Sequence, residues 1–247
     1  MMSFYSSIVK AYDEIFPLNK VQANLIEELF QGLGGKRVLD CGCGTGSLAI
    51  ELGRRSANVD AFDLDESMVA KAETKRPQAL NVNFAKDDLL RFSDNYKKDS
   101  YDVAYCLGNT LAHLPSLEEV GQYINAAASV LKPGAFVLVQ VVNFDRVISN
   151  KISQLPTIES ENYVFERNYI PEEHGVIQFS TVLKVKRSVE SYTQSLSLIP
   201  ILKEDLVKML SEQFEEVQFF GSFKKEKWLE DSFHTVVLAK KRTGQSV

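Results

Sequence analysis

The chain has 247 residues, 45% hydrophobic and 25% charged, a balance that suits one globular domain with a substantial core. Its 28 basic and 33 acidic residues leave a net charge of −5, which weighs against a nucleic-acid partner, because phosphate binding shows as a basic excess or stripe. No run approaches the roughly 18 apolar residues needed to cross a bilayer, and "MMSFYSSIVKAYDEIF" lacks the basic start and apolar centre of a secretory signal, so a cytoplasmic protein away from membranes is expected.

Phe4, Ile8, Tyr12 and Ile15 recur at helical spacing over 3–16, and Pro17 punctuates the run. A second helix is predicted over 19–31, with Val21, Leu25, Ile26, Leu29 and Phe30 on one face and Gly32, Gly34 and Gly35 ending it. Strands and helices then alternate. "RVLDC", "NVDAFDLD", "NVNFAK", "YDVAYCL" and "FVLVQVV" are short buried strands, and "GSLAIELGRRS", "ESMVAKAETKR" and residues 116–131 are helical. That alternation indicates βαβ units and a mostly parallel sheet covered on both faces. Over 157–199 the pattern changes to "NYVFERNYI", "GVIQFSTVLKVKR" and "SYTQSLSLI", whose alternation suits antiparallel strands. A helix at 203–213 and strands at "EEVQFFGSF" and "FHTVVLAKK" complete the chain, with "FKKEKW" at 223–228 read as solvated surface. Cys41, Cys43 and Cys106 are an odd set without paired spacing, so a reducing compartment is expected rather than a disulfide framework. The C-x-C is too sparse for zinc, and no metal is expected.

The chemistry concentrates in "KRVLDCGCGTGS" at 36–47. Gly42, Gly44 and Gly46 let the backbone leave a strand sharply and bring N–H groups against a ligand. The dinucleotide fingerprint is G-x-G-x-x-G, and here the third glycine comes one residue early. Asp40 closes the strand, and a carboxylate there suits an ammonium or sulfonium better than a pyrophosphate. Asp63 ends the next strand, where an acid can accept both ribose hydroxyls. Asp88, beside Asp87, follows the third strand and could accept from an adenine amino group. Each alone reads equally as a helix cap or loop aspartate; together they mark the carboxyl ends of successive parallel strands, where open α/β sheets bind ligands.

"VLDCGCGTG", "DAFDLDESMV", "NFAKDD" and "YDVAYCLGNTLAHL" together resemble the class I S-adenosylmethionine-dependent methyltransferases. The resemblance implies an α/β fold: a Rossmann-like, seven-stranded, mostly parallel sheet with helices on both faces and an antiparallel β insert after the fifth strand. It implies S-adenosyl-L-methionine as cofactor and S-adenosyl-L-homocysteine as product. It assigns Asp40, Gly42, Cys43, Gly44, Thr45 and Gly46 to the methionine end and Asp63 to the ribose. Asp87, Asp88 and Leu89 fall to the adenine, Leu64 and Met68 to packing on the adenosine, and Leu107 and Tyr12 complete the cofactor set. The domain plan it implies is a single domain over 1–247. Within it lie a helical lid over 1–31, a cofactor-binding core over 32–150, a substrate-side insert over 151–200 and a return to the core sheet over 201–241.

The loop at 106–114 lacks the N/D-P-P-Y/F of DNA and protein-glutamine methyltransferases. With "SVLKPGAFVLVQVVNFD" it is similar to the glycine and sarcosine N-methyltransferases. That likeness gives Asn109 a hold on a small substrate, and Tyr5 and Tyr12, seven apart, a place on a lid; Tyr163, Tyr169 and Tyr192 are weaker candidates. His113 could accept a proton from an amine or hydroxyl, or fasten its loop to backbone. One departure is Val142, where that group carries an arginine for an amino-acid carboxylate; Arg146 or Arg167 would have to substitute. The expected function is methyl transfer to a small molecule, an amine or alternatively a hydroxyl, with Asn109, His113 and Tyr12 nearest the chemistry and Tyr5, Asn109 and Arg167 toward the substrate. A homodimer through the insert is also envisaged. The rival classes are a nicotinamide-dependent oxidoreductase and a non-catalytic cofactor-binding protein.

Overall fold

Apolar runs of five or six residues form the middle of the main sheet. A computed structural model describes residues 8–172 and 175–243. In it β1 (Arg37–Cys41), β2 (Asn58–Asp63), β3 (Val82–Lys86), β4 (Tyr101–Cys106) and β5 (Leu131–Val142) pair in parallel. An antiparallel sheet follows: β6 (Gln154–Glu159), β7 (Tyr163–Pro171), β8 (Ile177–Val185) and β9 (Ser191–Leu198), in that order. The chain returns through β10 (Phe214–Phe220) to β11 (His234–Lys241), antiparallel to β5, giving a seven-stranded order β10-β11-β5-β4-β1-β2-β3. The expected α/β fold with its insert after the fifth strand is thus the observed one.

Both faces of the sheet are covered. The helices are α1 (Tyr12–Ile15), α2 (Lys20–Glu28), α3 (Ser47–Arg54), α4 (Glu66–Lys75), α5 (Leu117–Val130), α6 (Phe144–Ser149) and α7 (Lys203–Leu210). On one face Ala23, Leu25 and Ile26 of α2 and Ala49 and Leu52 of α3 pack against Val38, Val59 and Val103. On the other, Tyr123, Ile124 and Ala127 of α5 and Leu206 of α7 pack against Leu39, Ala104 and Val139, and the insert joins this cluster through Leu155 and Tyr169. Fully burying each of the valine, leucine and isoleucine side chains among them contributes roughly 1.5–3 kcal/mol.

Several bounds differ from the expected ones. Residues 3–7 of the first expected helix lie outside the described residues, and 9–11 form a turn before α1. α2 stops at Glu28 because Gln31 and Gly32 take positive φ, 56° and 125°. β6 was not anticipated: Pro156 interrupts its alternation, and its register with β7 shifts between Leu155 and Ile158. α6 is too short to show a period; Asn143 caps it, accepting from the Arg146 N–H at 3.3 Å.

Candidate active site

The glycine loop leaves β1 by two hydrogen bonds to its neighbour: Gly42 N–H and Cys43 N–H both donate to the Phe62 carbonyl, at 2.8 and 2.9 Å. Gly42, Gly44 and Gly46 all have positive φ. A Cβ on Gly46 would lie 2.4 Å from Phe84 Cζ and 2.9 Å from Ala72 Cβ. The early third glycine therefore lets the loop pack on β3 and α4, and Gly46 lines neither of the two cavities described below. Gly44 lies beneath the Tyr12 ring, with the hydroxyl 3.0 Å from where its Cβ would stand.

Two cavities adjoin at this loop, both lined by Tyr12, Gly42, Leu107, Gly108 and His113. The smaller, about 250 Å³, holds the strand-end acids Asp63, Asp87 and Asp88 with Gly44, Leu64, Met68 and Leu89 on its wall. Asp63 accepts from Gly44 N–H at 2.8 Å and from Asp65 N–H at 2.9 Å, one bond to each oxygen. A carboxylate offers about four lone-pair sites, so acceptor capacity remains on both oxygens. Burial raises its pKa, opposed by these backbone donors. Asp65 caps α4 by accepting from Ser67 and Met68 N–H, which fixes the turn after β2. Asp87 accepts from Asp88 N–H and from Asn95 Nδ2, and Asp88 Oδ1 accepts from Leu90 N–H. Met68 is buried, whereas Leu64 is 66% exposed at the rim.

The larger cavity, about 440 Å³, holds Asp40, Cys43, Thr45, Asn109, Val142 and Arg167 on its wall, with Phe165, Tyr169 and Phe179 from the insert and Phe233 and His234 from the end of the main sheet. Asp40 is 3% exposed, and the Tyr105 hydroxyl donates to its Oδ2 at 2.8 Å. Burial pushes its pKa up to about 8, Tyr105 opposing and Asp63 adding to the rise. Burial likewise raises the Tyr12 phenol, with Asp63 next in effect, so Tyr12 remains a donor. Asn109, at φ 68°, accepts from Val142 N–H at its Oδ1, at 2.9 Å, and its Nδ2 is a donor. Burial lowers the His113 pKa to about 4.

The structure brings the expected residues together around one loop with few exceptions. Tyr5 lies outside the described residues. Tyr163 and Tyr192 line neither cavity; Tyr169 does. Sequence reasoning missed Gln140, buried on β5, whose Oε1 accepts from Gly108 N–H at 2.8 Å and whose Nε2 meets His234 Nδ1 at 3.2 Å. It also missed Tyr105 and Asp13. Asp13 accepts from Thr45 and Ser47 hydroxyls and from Lys75 Nζ, tying α1 to the glycine loop. Among the described residues no cluster of three His, Cys, Asp or Glu side chains gathers to hold a metal. No helix among them is long and apolar enough to cross a membrane.

Residues 38–134, from β1 into β5, match the model of the Methyltransferase domain. Over that span the chain is similar to methyltransferase domains. The Ubiquinone biosynthesis O-methyltransferase of Shewanella pealeana is 32% identical to this chain over 127 residues, 51% of this chain and 52% of that protein. Its counterpart in Acinetobacter baylyi is 30% identical over 128 residues, with the same shares. The chain thus spans about half the length of the curated relatives it matches. Among solved structures, an S-adenosylmethionine-dependent methyltransferase from Clostridium acetobutylicum aligns with TM-score 0.81 at 19% identity, over 97% of this chain and 100% of that one. CalS10, an amino pentose methyltransferase from Micromonospora echinaspora solved with S-adenosylmethionine bound, aligns with TM-score 0.70 at 16% identity over 98% and 99%. At such identities the likeness is one of fold.

Proposed function

We propose that this chain transfers the methyl group of S-adenosyl-L-methionine to a nitrogen of a small molecule. The observation that carries the proposal is the junction of the two cavities: a strand-end acid cleft opens past Gly42 and Tyr12 into an aromatic-walled chamber that has the buried Asp40 on its wall. The donor set suits the cofactor. A desolvated carboxylate whose pKa is pushed to about 8 is one that a cation would restore to its charged form. The remaining lone pairs of Asp63 suit a ribose diol, and Asp88 with Leu64, Met68 and Leu89 suits a planar amino-bearing ring.

Bound cofactor would supply an electrophilic methyl on its sulfonium, with the thioether S-adenosyl-L-homocysteine as the leaving group. The protein's share is orientation and exclusion of water, which can supply about 7–11 kcal/mol. Tyr12 covers the loop from above. Asn109 Nδ2 offers one donor to the acceptor, while its Oδ1 keeps the 106–114 loop on β5. α1 and the insert meet over the site, where Glu14 accepts from Asn162 N–H at 2.7 Å and Phe16 packs edge-on to Phe165 at 5.8 Å.

A neutral amine attacks without a base, whereas a hydroxyl needs one. The two histidines on the larger cavity are poor bases. Burial takes His113 to about 4, and His234 is lowered by burial and then by Arg167. These observations favour nitrogen. Hydroxyl methylation is the second reading, favoured by the names of the curated relatives across the matched core. Labelled cofactor offered with small amines, amino acids and phenols tests both, and N-methyl products are expected. Activity confined to tRNA or protein would overturn the small-molecule reading.

A further inference from the structure

Among the described residues, the inward face of the insert carries one cation with no acid paired to it. Alternate residues of a strand share a face, so Phe165, Arg167 and Tyr169 of β7 point together. Leu155 of β6 and Thr181 of β8 stand opposite Arg167 in register, and Phe179 stands opposite Tyr169. On the outward face charges are paired: Lys184 with Glu166, and Lys186 with Glu159. Arg167 instead donates from Nη2 to the Pro156 carbonyl at 2.7 Å, while its Nε is buried without a partner. Among the described residues it has no ion pair. Burial pulls its pKa down, opposed only by Tyr169. A desolvated guanidinium without a counter-ion is costly, and its fork matches a carboxylate in two parallel hydrogen bonds.

His234 adds a second donor on the same cavity. Gln140 Oε1 is held by Gly108 N–H, so its Nε2 is the donor to His234 Nδ1, and the imidazole proton sits on Nε2. The acid on the wall of this cavity is Asp40, two residues before Gly42, which lines both cavities. The chamber is thus polarised, acidic at the cofactor end and cationic at the insert, with aromatic rings between.

We infer that the methyl acceptor is a carboxylate on an aromatic or apolar body, its anionic group held by Arg167 and its nitrogen directed toward the Asp40 end. This deepens the methyl-transfer reading and rests on it for the nitrogen, but the anion site can be tested separately. Benzoate and phenylacetate, with benzamide and phenylacetamide as uncharged counterparts, are titrated calorimetrically into the full chain with and without S-adenosylhomocysteine. The carboxylates are expected to bind at least tenfold more tightly than the amides. Arg167→Gln should remove that preference while leaving S-adenosylhomocysteine affinity within about twofold, and Arg167→Lys should keep part of it. Because the substitution removes an unpaired cation, Arg167→Gln should melt no lower than the parent, which a merely structural arginine would not allow. Equal binding of acids and amides, a preference that survives Arg167→Gln, or no binding of any probe overturns the inference. If S-adenosylhomocysteine fails to bind while the acid preference persists and depends on Arg167, the methyl-transfer reading falls and the anion site stands. With labelled cofactor, 4-aminobenzoate should be methylated in preference to 4-aminobenzamide.

Discussion

The Tyr105 hydroxyl donates to Asp40 Oδ2 at 2.8 Å in a site where both side chains are buried. One neutral hydrogen bond does not offset the desolvation of a carboxylate, which is why the Asp40 pKa rises to about 8. The folded chain therefore keeps a proton that the unfolded chain releases near pH 4. The unfolded state binds fewer protons between these values, so stability falls as pH rises through that window. Asp40→Asn should stabilise the free protein at pH 8.5 by roughly 2 kcal/mol or more, at about 1.4 kcal/mol per pKa unit, with the gain vanishing toward pH 4. It should also abolish S-adenosylmethionine binding. In the parent, cofactor affinity should climb with pH up to about 8 as bound cation replaces the proton. Melting curves at both pH values and calorimetry in two buffers check this; a destabilised Asp40→Asn at pH 8.5 would refute it.

Asp63 serves the loop as well as the proposed ribose. Its removal deprives Gly44 N–H and Asp65 N–H of their acceptor. Charge-assisted bonds contribute roughly 1.5–3 kcal/mol each. Asp63→Ala should weaken S-adenosylhomocysteine binding by more than about 1.5 kcal/mol, measured calorimetrically. Unchanged affinity would remove Asp63 from the cofactor site.

The cofactor half was legible because its signals are local. Asp40, Asp63 and Asp88 each follow a short apolar run, and period alone places them at strand ends. The acceptor half depends on pairings that no local pattern carries. Gln140 and His234 meet because β11 runs antiparallel to β5, with His234 opposite Val142. The isolation of Arg167 follows from its face of β7, since its neighbour Glu166 pairs on the other side. Gly46 was legible as a glycine, but Phe84, the residue that requires it, lies on β3.

Gly46 tests that packing. At φ 74° an alanine is strained, and its Cβ would press on Phe84 at 2.4 Å. Gly46→Ala should cost roughly 1–3 kcal/mol of stability. Phe84→Leu in the same chain should recover part of the loss, leaving the backbone strain and the close approach to Ala72. No change in melting temperature would count against the packing role.

Burial lowers the His113 pKa to about 4 and so keeps the imidazole neutral above that pH. Between about 4 and its unfolded value of 6.5 the unfolded chain binds more protons, so the stability His113 contributes is lost as pH falls through that window. General base catalysis contributes about 10²–10⁴-fold. His113→Asn should lower turnover less than about tenfold, short of that range, and the turnover of the parent should show no ionisation near 6.5 from this group. A hundredfold loss with a shifted pH profile would make His113 the base.

Asp13 ties the segment bearing Tyr12 to the loop beneath it. Its Oδ1 accepts from Lys75 Nζ at 2.7 Å, from Ser47 Oγ at 3.0 Å and from Thr45 Oγ1. Burial alone would raise its pKa, but the bonds from Lys75 and Thr45 outweigh it and hold the carboxyl below its ordinary value. That depressed value makes the tie a source of stability that is lost as pH falls through the acid range. The tie joins α1 to Thr45, Ser47 and the end of α4, but it lies outside the main core clusters. Asp13→Ala should therefore loosen the cover over the cofactor more than the fold. Cofactor dissociation should quicken about tenfold, equivalent to about 1.4 kcal/mol, while the melting temperature moves by only about 2 °C. Stopped-flow release of S-adenosylhomocysteine, read beside a thermal melt, separates the two effects. Equal release rates in parent and variant would leave Asp13 a surface tie with no hold on the site.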